Sequence, residues 1–489
     1  MNDKFDEPAK ELAQSIRISF LCLAVGLSAV SAHANDFKLG PAVDLSDPDA
    51  LAGCGSNGAE KESSIAANPA NPKNLVAVWW GGLAKGIVAA VTFDAGKQWQ
   101  QVVIPGITLC TGGSFEIATD PWLSFAPNGD LYAVCQAADL KNGVVGVISQ
   151  SARLVTKSAD GGLHWSDPIT LDPVSSPVYA DKPSITADPQ NADLVYATWQ
   201  KFIGGSSAQT MFSRSTDGGR TWEAARSVYD PGPQNRTDDP QILVLPDGTL
   251  VNMFSEALFQ NKKNGGQYQL FLSVVRSLDK GRSWSAVIRG PQRLSRDVAD
   301  PDTGHPAGSA GTLPPFFNVA CDSVNGNLYA VWEDSRFGGG LYSSIALASS
   351  GDGGSSWSVP IQIDQTPTNI PPGNQQAFLP TVAVASDGTV GVAYYDFRFN
   401  DPAPGLPTDY WLVHCHPSAT APATDPANWG GEVRLTDTSF DMETAPAPFG
   451  AYFVGDYEGL ATVGYDFLAA WAMPHGGDPD SVFFRRVGP

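Results

Sequence analysis

Residues 92–99 read TFDAGKQW, and their pattern, Ser/Thr-x-Asp-x-Gly-x-x-Trp, returns at 158–165 (SADGGLHW), 215–222 (STDGGRTW), 277–284 (SLDKGRSW) and 350–357 (SGDGGSSW). Local physics explains the fixed positions. The Asp carboxylate bonds the N–H groups of a tight turn, the Gly takes a positive φ, and the Trp packs back between neighbouring sheets. Asp94, Asp160, Asp217, Asp279 and Asp352 are therefore read as turn braces, not as ligands of a metal or substrate. Repeats at this spacing signal a radial array of small antiparallel sheets.

A second pattern lies upstream of the octapeptides: an alternating strand, a tight turn and another strand. Copies start at Glu62, Asp120, Asp181, Asp239, Phe317, Leu379 and Asp456. Asn-Gly and Asp-Gly pairs between apolar runs mark the turns as hairpins. The expected fold is all-β, a β-propeller of four-stranded antiparallel blades, seven by this reading and six as the alternative, with the Asp-box turns on one face. The last two blades lack a full octapeptide. Residues 482–487 (VFFRRV) give the seventh blade only a third strand, and residues 37–45 are expected to supply the fourth and close the ring, leaving no free sheet edge.

The rest of the chain fits a turn-rich β protein. It has 489 residues with 50 Gly, 38 Pro and 17% charged side chains. Residues 1–34 read as a signal peptide: basic residues Lys4, Lys10 and Arg17, an apolar run over 18–32, and a small-x-small cleavage signal ending at Ala34. Residues 35–489 are then a single propeller domain, expected in the periplasm or outside the cell, without membrane insertion and monomeric. A formal net charge of -21 argues against nucleic acid as a partner. Cys54 and Cys110 lie in loops ahead of neighbouring blades and can pair in an oxidising compartment, whereas Cys135 and Cys321 fall inside strand patterns.

Topology puts the starts of inner strands and the ends of second strands on the face opposite the octapeptide turns. Long Gly/Pro-rich insertions at 300–315, 366–376 and 401–409 open there too. Glu62, Asp120, Asp181, Asp239, Asp456 and Tyr457 come from strand starts; Glu333, Asp334 and Arg336, and Tyr395, Asp396 and Arg398, come from strand ends. Acidic groups around a narrow mouth raise one another's pKa values and can prepare a general acid. The two arginines suit a substrate carboxylate, or equally bridge blades through Asp334 and Asp396.

Asp boxes on a propeller resemble the sialidase superfamily of BNR repeats. In that likeness Tyr457, in Tyr457-Glu458-Gly459-Leu460, stands where the sialidase Tyr nucleophile stands. Asp239, with Asp247-Gly248 eight residues on, stands for the carboxylate base, one methylene shorter. The resemblance implies a glycan-cleaving enzyme with Asp120 or Asp181 as general acid and Glu62, Glu333, Asp456, Arg336 and Arg398 binding substrate. The pattern departs at three places. Lys61-Glu62-Ser63-Ser64 and Phe254-Ser255-Glu256 lack two of the sialidase arginines, and Trp80-Gly81-Gly82-Leu83 lacks the acid. A non-catalytic glycan- or protein-binding propeller is the alternative. A polysaccharide lyase using His305, His414 or His416, read as lying in or near the mouth loops, is a third reading. No catalytic cofactor or metal is expected; a structural Ca²⁺ at Asp300–Asp302 is allowed but not specified.

Overall fold

The apolar runs between turn signals become strands. The computed structural model describes residues 37–55, 58–144, 147–204, 206–262, 265–309, 316–448 and 450–489; the side chains at 261, 262, 265 and 266 are left undescribed. The signal-peptide reading therefore lies outside the described residues. Among those described, no helix is long and apolar enough to cross a membrane.

The strands form seven antiparallel blades. Blade 1 is Lys61–Ala67, Leu75–Gly81, Gly86–Thr92 and Gln100–Val103, from the inner to the outer strand. The inner strands of blades 2 to 6 are Ile117–Phe125, Tyr179–Ala187, Arg236–Val244, Phe317–Cys321 and Ala377–Val384. Blade 7 starts with Gly459–Val463 and continues through Asp466–His475 and Asp478–Gly488. Neighbouring inner strands touch in order around the ring, and the first touches the last.

The seventh blade is completed by the start of the described chain. Lys38 and Leu39 pair with Gly488 and Val487, and Val43 and Asp44 with Phe484 and Phe483. Phe37 and Leu45, flanking these pairs, are buried. The ring is thus closed by a clasp of early on late sequence, as the strand count required.

The octapeptides do the work read from them. In the second box Asp160 Oδ1 accepts Ser158 Oγ–H and His164 N–H, both at 2.9 Å, and Trp165 Nε1–H reaches Gly162 O at 2.9 Å. Blade 6 has a longer substitute. Its third strand, Pro407–Cys415, is followed by a loop whose Trp429 is buried and donates to Ala423 O at 2.8 Å. This Trp keeps the anchoring role without the box spacing.

Cys54 and Cys110 are bonded, their Cα atoms 5.9 Å apart. They stitch the loop before blade 1 to the loop before blade 2. Replacing both with Ser should cost about 3 kcal/mol of unfolding free energy, read from the urea midpoint. A loss below about 1 kcal/mol would show that the bond constrains little.

His414 and His416 are not at the insertion-bearing face. His414 pairs across the sheet with Gly391, just past the Asp387-Gly388 turn, so both rings lie at the octapeptide end of blade 6. The alternation of strand direction placed them there, and the lyase reading loses two of its three histidines. His414 is buried and stacked on Phe37, with centroids 3.9 Å apart and planes 7° apart. Burial, helped by nearby His416, lowers its pKa to about 4. The unfolded ring binds its proton near pH 6.5, so stability is full above that pH and falls as pH drops towards 4. His414→Phe should remove this component, about 3 kcal/mol, from the difference between unfolding at pH 7 and at pH 4. Identical acid profiles for parent and variant would contradict the assignment.

Candidate active site

The inner strands of blades 1, 2, 3, 4 and 6 each carry a bulge near their start. The register slips between Lys61 and Ser64, Thr119 and Trp122, Asp181 and Ser184, Asp238 and Gln241, and Phe378 and Thr381. At each slip one residue takes a positive φ: Glu62 (57°), Asp120 (53°), Lys182 (50°), Asp239 (55°) and Leu379 (49°). None is Gly, and such a conformation costs about 1–3 kcal/mol. Neighbouring blades help to hold two of them. Glu62 Oε2 accepts the Asp120 N–H at 3.1 Å, and Glu333 Oε1 accepts the Leu379 N–H at 3.0 Å.

Four of these five positions carry charge, and three of the four meet. Lys182 Nζ lies 2.9 Å from Asp120 Oδ1, 2.5 Å from Asp456 Oδ2 and 3.7 Å from Glu62 Oε1. These partners come from blade 3, blade 2, the entry to blade 7 and blade 1, so their meeting point is the central channel. Glu62 Oε2 also accepts Trp80 Nε1–H at 2.7 Å. Tyr457 donates its hydroxyl to Pro121 O at 2.9 Å and packs between Trp122 and Phe316, with ring centroids 5.4 and 5.1 Å away.

Asp239 belongs to the blade 4 side of the same mouth, with Asp238 beside it and Lys182 and Arg293 as the countercharges. Arg293, from the outer strand Ile288–Arg293, is buried and donates to Ser255 Oγ at 2.9 Å. Asp181 turns aside and accepts the Tyr179 hydroxyl.

The electrostatics follow from burial. Glu62 is raised to about 8 by burial and then by the charge of Asp120. Burial raises Glu333 to about 7. Asp239 goes well up through burial and Asp238. Tyr457 goes well up through burial, then Glu62 and Asp120, so its phenol keeps its proton. Burial works against the charge of Lys182, but Asp120, Asp456 and Glu62 overcome it and hold the ammonium firmly charged.

Of the residues singled out in the sequence, Glu62, Asp120, Asp456 and Tyr457 are brought together, and Asp239 and Glu333 flank them. Arg336 and Arg398 are held elsewhere. Arg336 pairs with Asp334 at 2.7 Å and reaches Gln292 O of blade 4. Arg398 pairs with Asp396 and Glu432, each at 2.6 Å, and lies over the Trp411 ring. Asp300 braces its own loop, accepting the Asp302 N–H at 2.8 Å. Lys182 and Arg293 were not anticipated. Aligning Asp120-Pro121, Lys182-Pro183 and Asp239-Pro240 on the Pro would have found Lys182 in the slot; aligning on Asp selected Asp181. A separate recess of about 570 Å³ opens on the octapeptide face between blades 5 and 6, lined by Asp322, Asn325, Asp387 and Ser418 and by none of the mouth groups.

The model of the BNR repeat-like domain matches residues 73–392, which include all the octapeptides and, of the mouth, Asp120, Lys182, Asp239, Arg293 and Glu333. The chain belongs to the BNR repeat-like family. No curated relative matches its sequence. Among solved structures, this BNR protein is similar to the α-L-arabinofuranosidase of Fusarium graminearum in complex with arabinobiose, at 12% identity over 92% of this chain and 98% of that one, with TM-score 0.48. It is similar also to a Hadza microbial sialidase, at 15% identity over 86% and 74% with TM-score 0.47. A protein of unknown function from Dyadobacter fermentans matches at 12% identity over 93% and 99% with TM-score 0.48. The family-model match bears out the sequence resemblance to the BNR repeat class.

Proposed function

We propose that this BNR propeller is an exported glycoside hydrolase acting on a neutral sugar, with Glu62 as the proton donor and Asp120, paired with Lys182, as the partner carboxyl. The observation that carries the reading is the convergence of Glu62, Asp120 and Asp456 on one lysine at the channel mouth. Both carboxyls contact Lys182 Nζ, so their facing oxygens are no more than about 7 Å apart, within the reach over which paired carboxylates cleave glycosides. A carboxyl raised to about 8, beside a second carboxyl paired with an ammonium, is the division of labour this chemistry needs.

A neutral sugar is favoured over sialic acid because the mouth offers no ready partner for a substrate carboxylate. Lys182 is already held by Asp120 and Asp456, and Arg293 is buried and donates to Ser255. Arg336 and Arg398 are already engaged by Asp334, Asp396 and Glu432. Tyr457, buried and bonded to a backbone carbonyl, serves in this reading as a wall and hydrogen-bond anchor instead of the nucleophile. The non-catalytic glycan-binding alternative draws on one observation: Tyr457 and Lys182 are both satisfied within the protein.

The test is hydrolysis of a panel of fluorogenic glycosides and oligosaccharides by the purified protein. The panel should include neutral pentosides and hexosides and a sialic acid glycoside. Cleavage of a neutral member supports the proposal. Cleavage of the sialoside alone would overturn the preference for a neutral sugar, and glycan binding with no turnover on any member would favour the binding propeller.

A further inference from the structure

We propose that Lys182 is the positioning residue of this mouth: its ammonium ties Asp120 to Asp456 across blades 2 and 7 and, standing off Glu62, sets how readily Glu62 gives up its proton. The role assigned to Lys182 rests on the reading of the mouth as catalytic, but its effect on Glu62 stands apart from it.

The geometry is asymmetric. Lys182 makes direct contacts of 2.9 and 2.5 Å with Asp120 and Asp456, while Glu62 Oε1 stays at 3.7 Å, beyond a hydrogen bond. The other Glu62 oxygen already accepts two N–H groups, from Trp80 and Asp120. Oε1 is thus the oxygen left to carry a proton towards the channel. Lys182 is fixed in place by its own strained backbone (φ 50°) and by burial, with its side chain 12% exposed, so it does not swing freely among the three carboxyls. Its ammonium also lies 5.8 Å from the Phe316 ring centroid.

Other charges face the cluster. Asp181 precedes Lys182 on its own strand, Asp239 and Arg293 approach from blade 4, and Glu333 from blade 5. Tyr457 stays neutral beside them. Tyr457 also links the entry of blade 7 to blade 2 through Pro121 O, while Lys182 pairs with a carboxylate of each.

The measurement is the titration of the Glu62 carboxyl by ¹³C NMR on protein labelled at glutamate side chains, assigned by the resonance missing in Glu62→Gln. In Lys182→Gln the nearest positive charge is gone, and Glu62 should titrate at least about one pH unit higher than in the parent. In Asp456→Asn a repelling charge is gone and Lys182 is released towards Glu62, so Glu62 should titrate lower. The second variant removes no cation and decides the matter if the first fails to fold. An unmoved Glu62 titration in the folded variants would overturn the proposal. On any glycoside that is cleaved, the alkaline limb of kcat/KM should move with the NMR value. Absence of turnover would count against the catalytic reading alone, because the titration is read without substrate.

Discussion

Asp120→Asn should lower kcat/KM on a cleaved glycoside by at least about a thousandfold while leaving the fold intact. Asn keeps the shape of the side chain and removes the charge that Lys182 holds in place at 2.9 Å. Glu62→Gln should behave differently. Its loss should reach about 10²–10⁴-fold on substrates with a poor leaving group and be much smaller on activated aryl glycosides, which need no proton. Parent activity should fall as pH rises through about 8, where Glu62 loses its proton. Tyr457→Phe should cost less than about tenfold, since only the bond to Pro121 O is removed. Abolition of turnover by Tyr457→Phe with Asp120→Asn still active would move the nucleophile to the phenol.

Removing residues 37–45 should destabilise the protein by more than about 5 kcal/mol, comparable with the whole stability of many domains. Phe37 and Leu45 are buried, and each contributes about 1.5–3 kcal/mol. The pairings with Phe483, Phe484, Val487 and Gly488 go with them. Loss of Phe37 also uncovers His414. The strand Asp478–Gly488 would become a free edge, so the truncated chain should also self-associate. Thermal unfolding and size-exclusion chromatography read both effects. A truncated monomer with an unchanged Tm would show that the clasp is dispensable.

The fold was legible because its signals are local. An octapeptide turn and a hairpin repeat need no knowledge of distant contacts, and even the clasp followed from counting strands in the last blade. The mouth was legible only in part. Strand starts pointed to Glu62, Asp120 and Asp456, yet the slot of blade 3 was missed, because the copies were aligned on their acidic residue, whereas in DPW, DKP and DDP the positive φ falls on the residue before Pro. That hid Lys182. Arg293 was hidden for another reason: it enters from an outer strand, which topology alone assigns to the periphery. Arg336 and Arg398 were found at the right strand ends, but Asp334 and Asp396, two residues before them, take up their guanidinium groups.

The bulges have a consequence for how this scaffold varies. A strand alternates its side chains between two faces, and one inserted residue changes the phase of that alternation. Beyond the slip, Ile65, Ile185, Ile242 and Val382 are buried in one phase against neighbouring blades. Before it, the mouth residues follow another. The two halves of each bulged inner strand are thus decoupled in sequence: a slot can hold Glu, Asp, Lys or Leu, as it does here, without the apolar half losing its frame. A lineage built on this blade can exchange its chemistry one slot at a time.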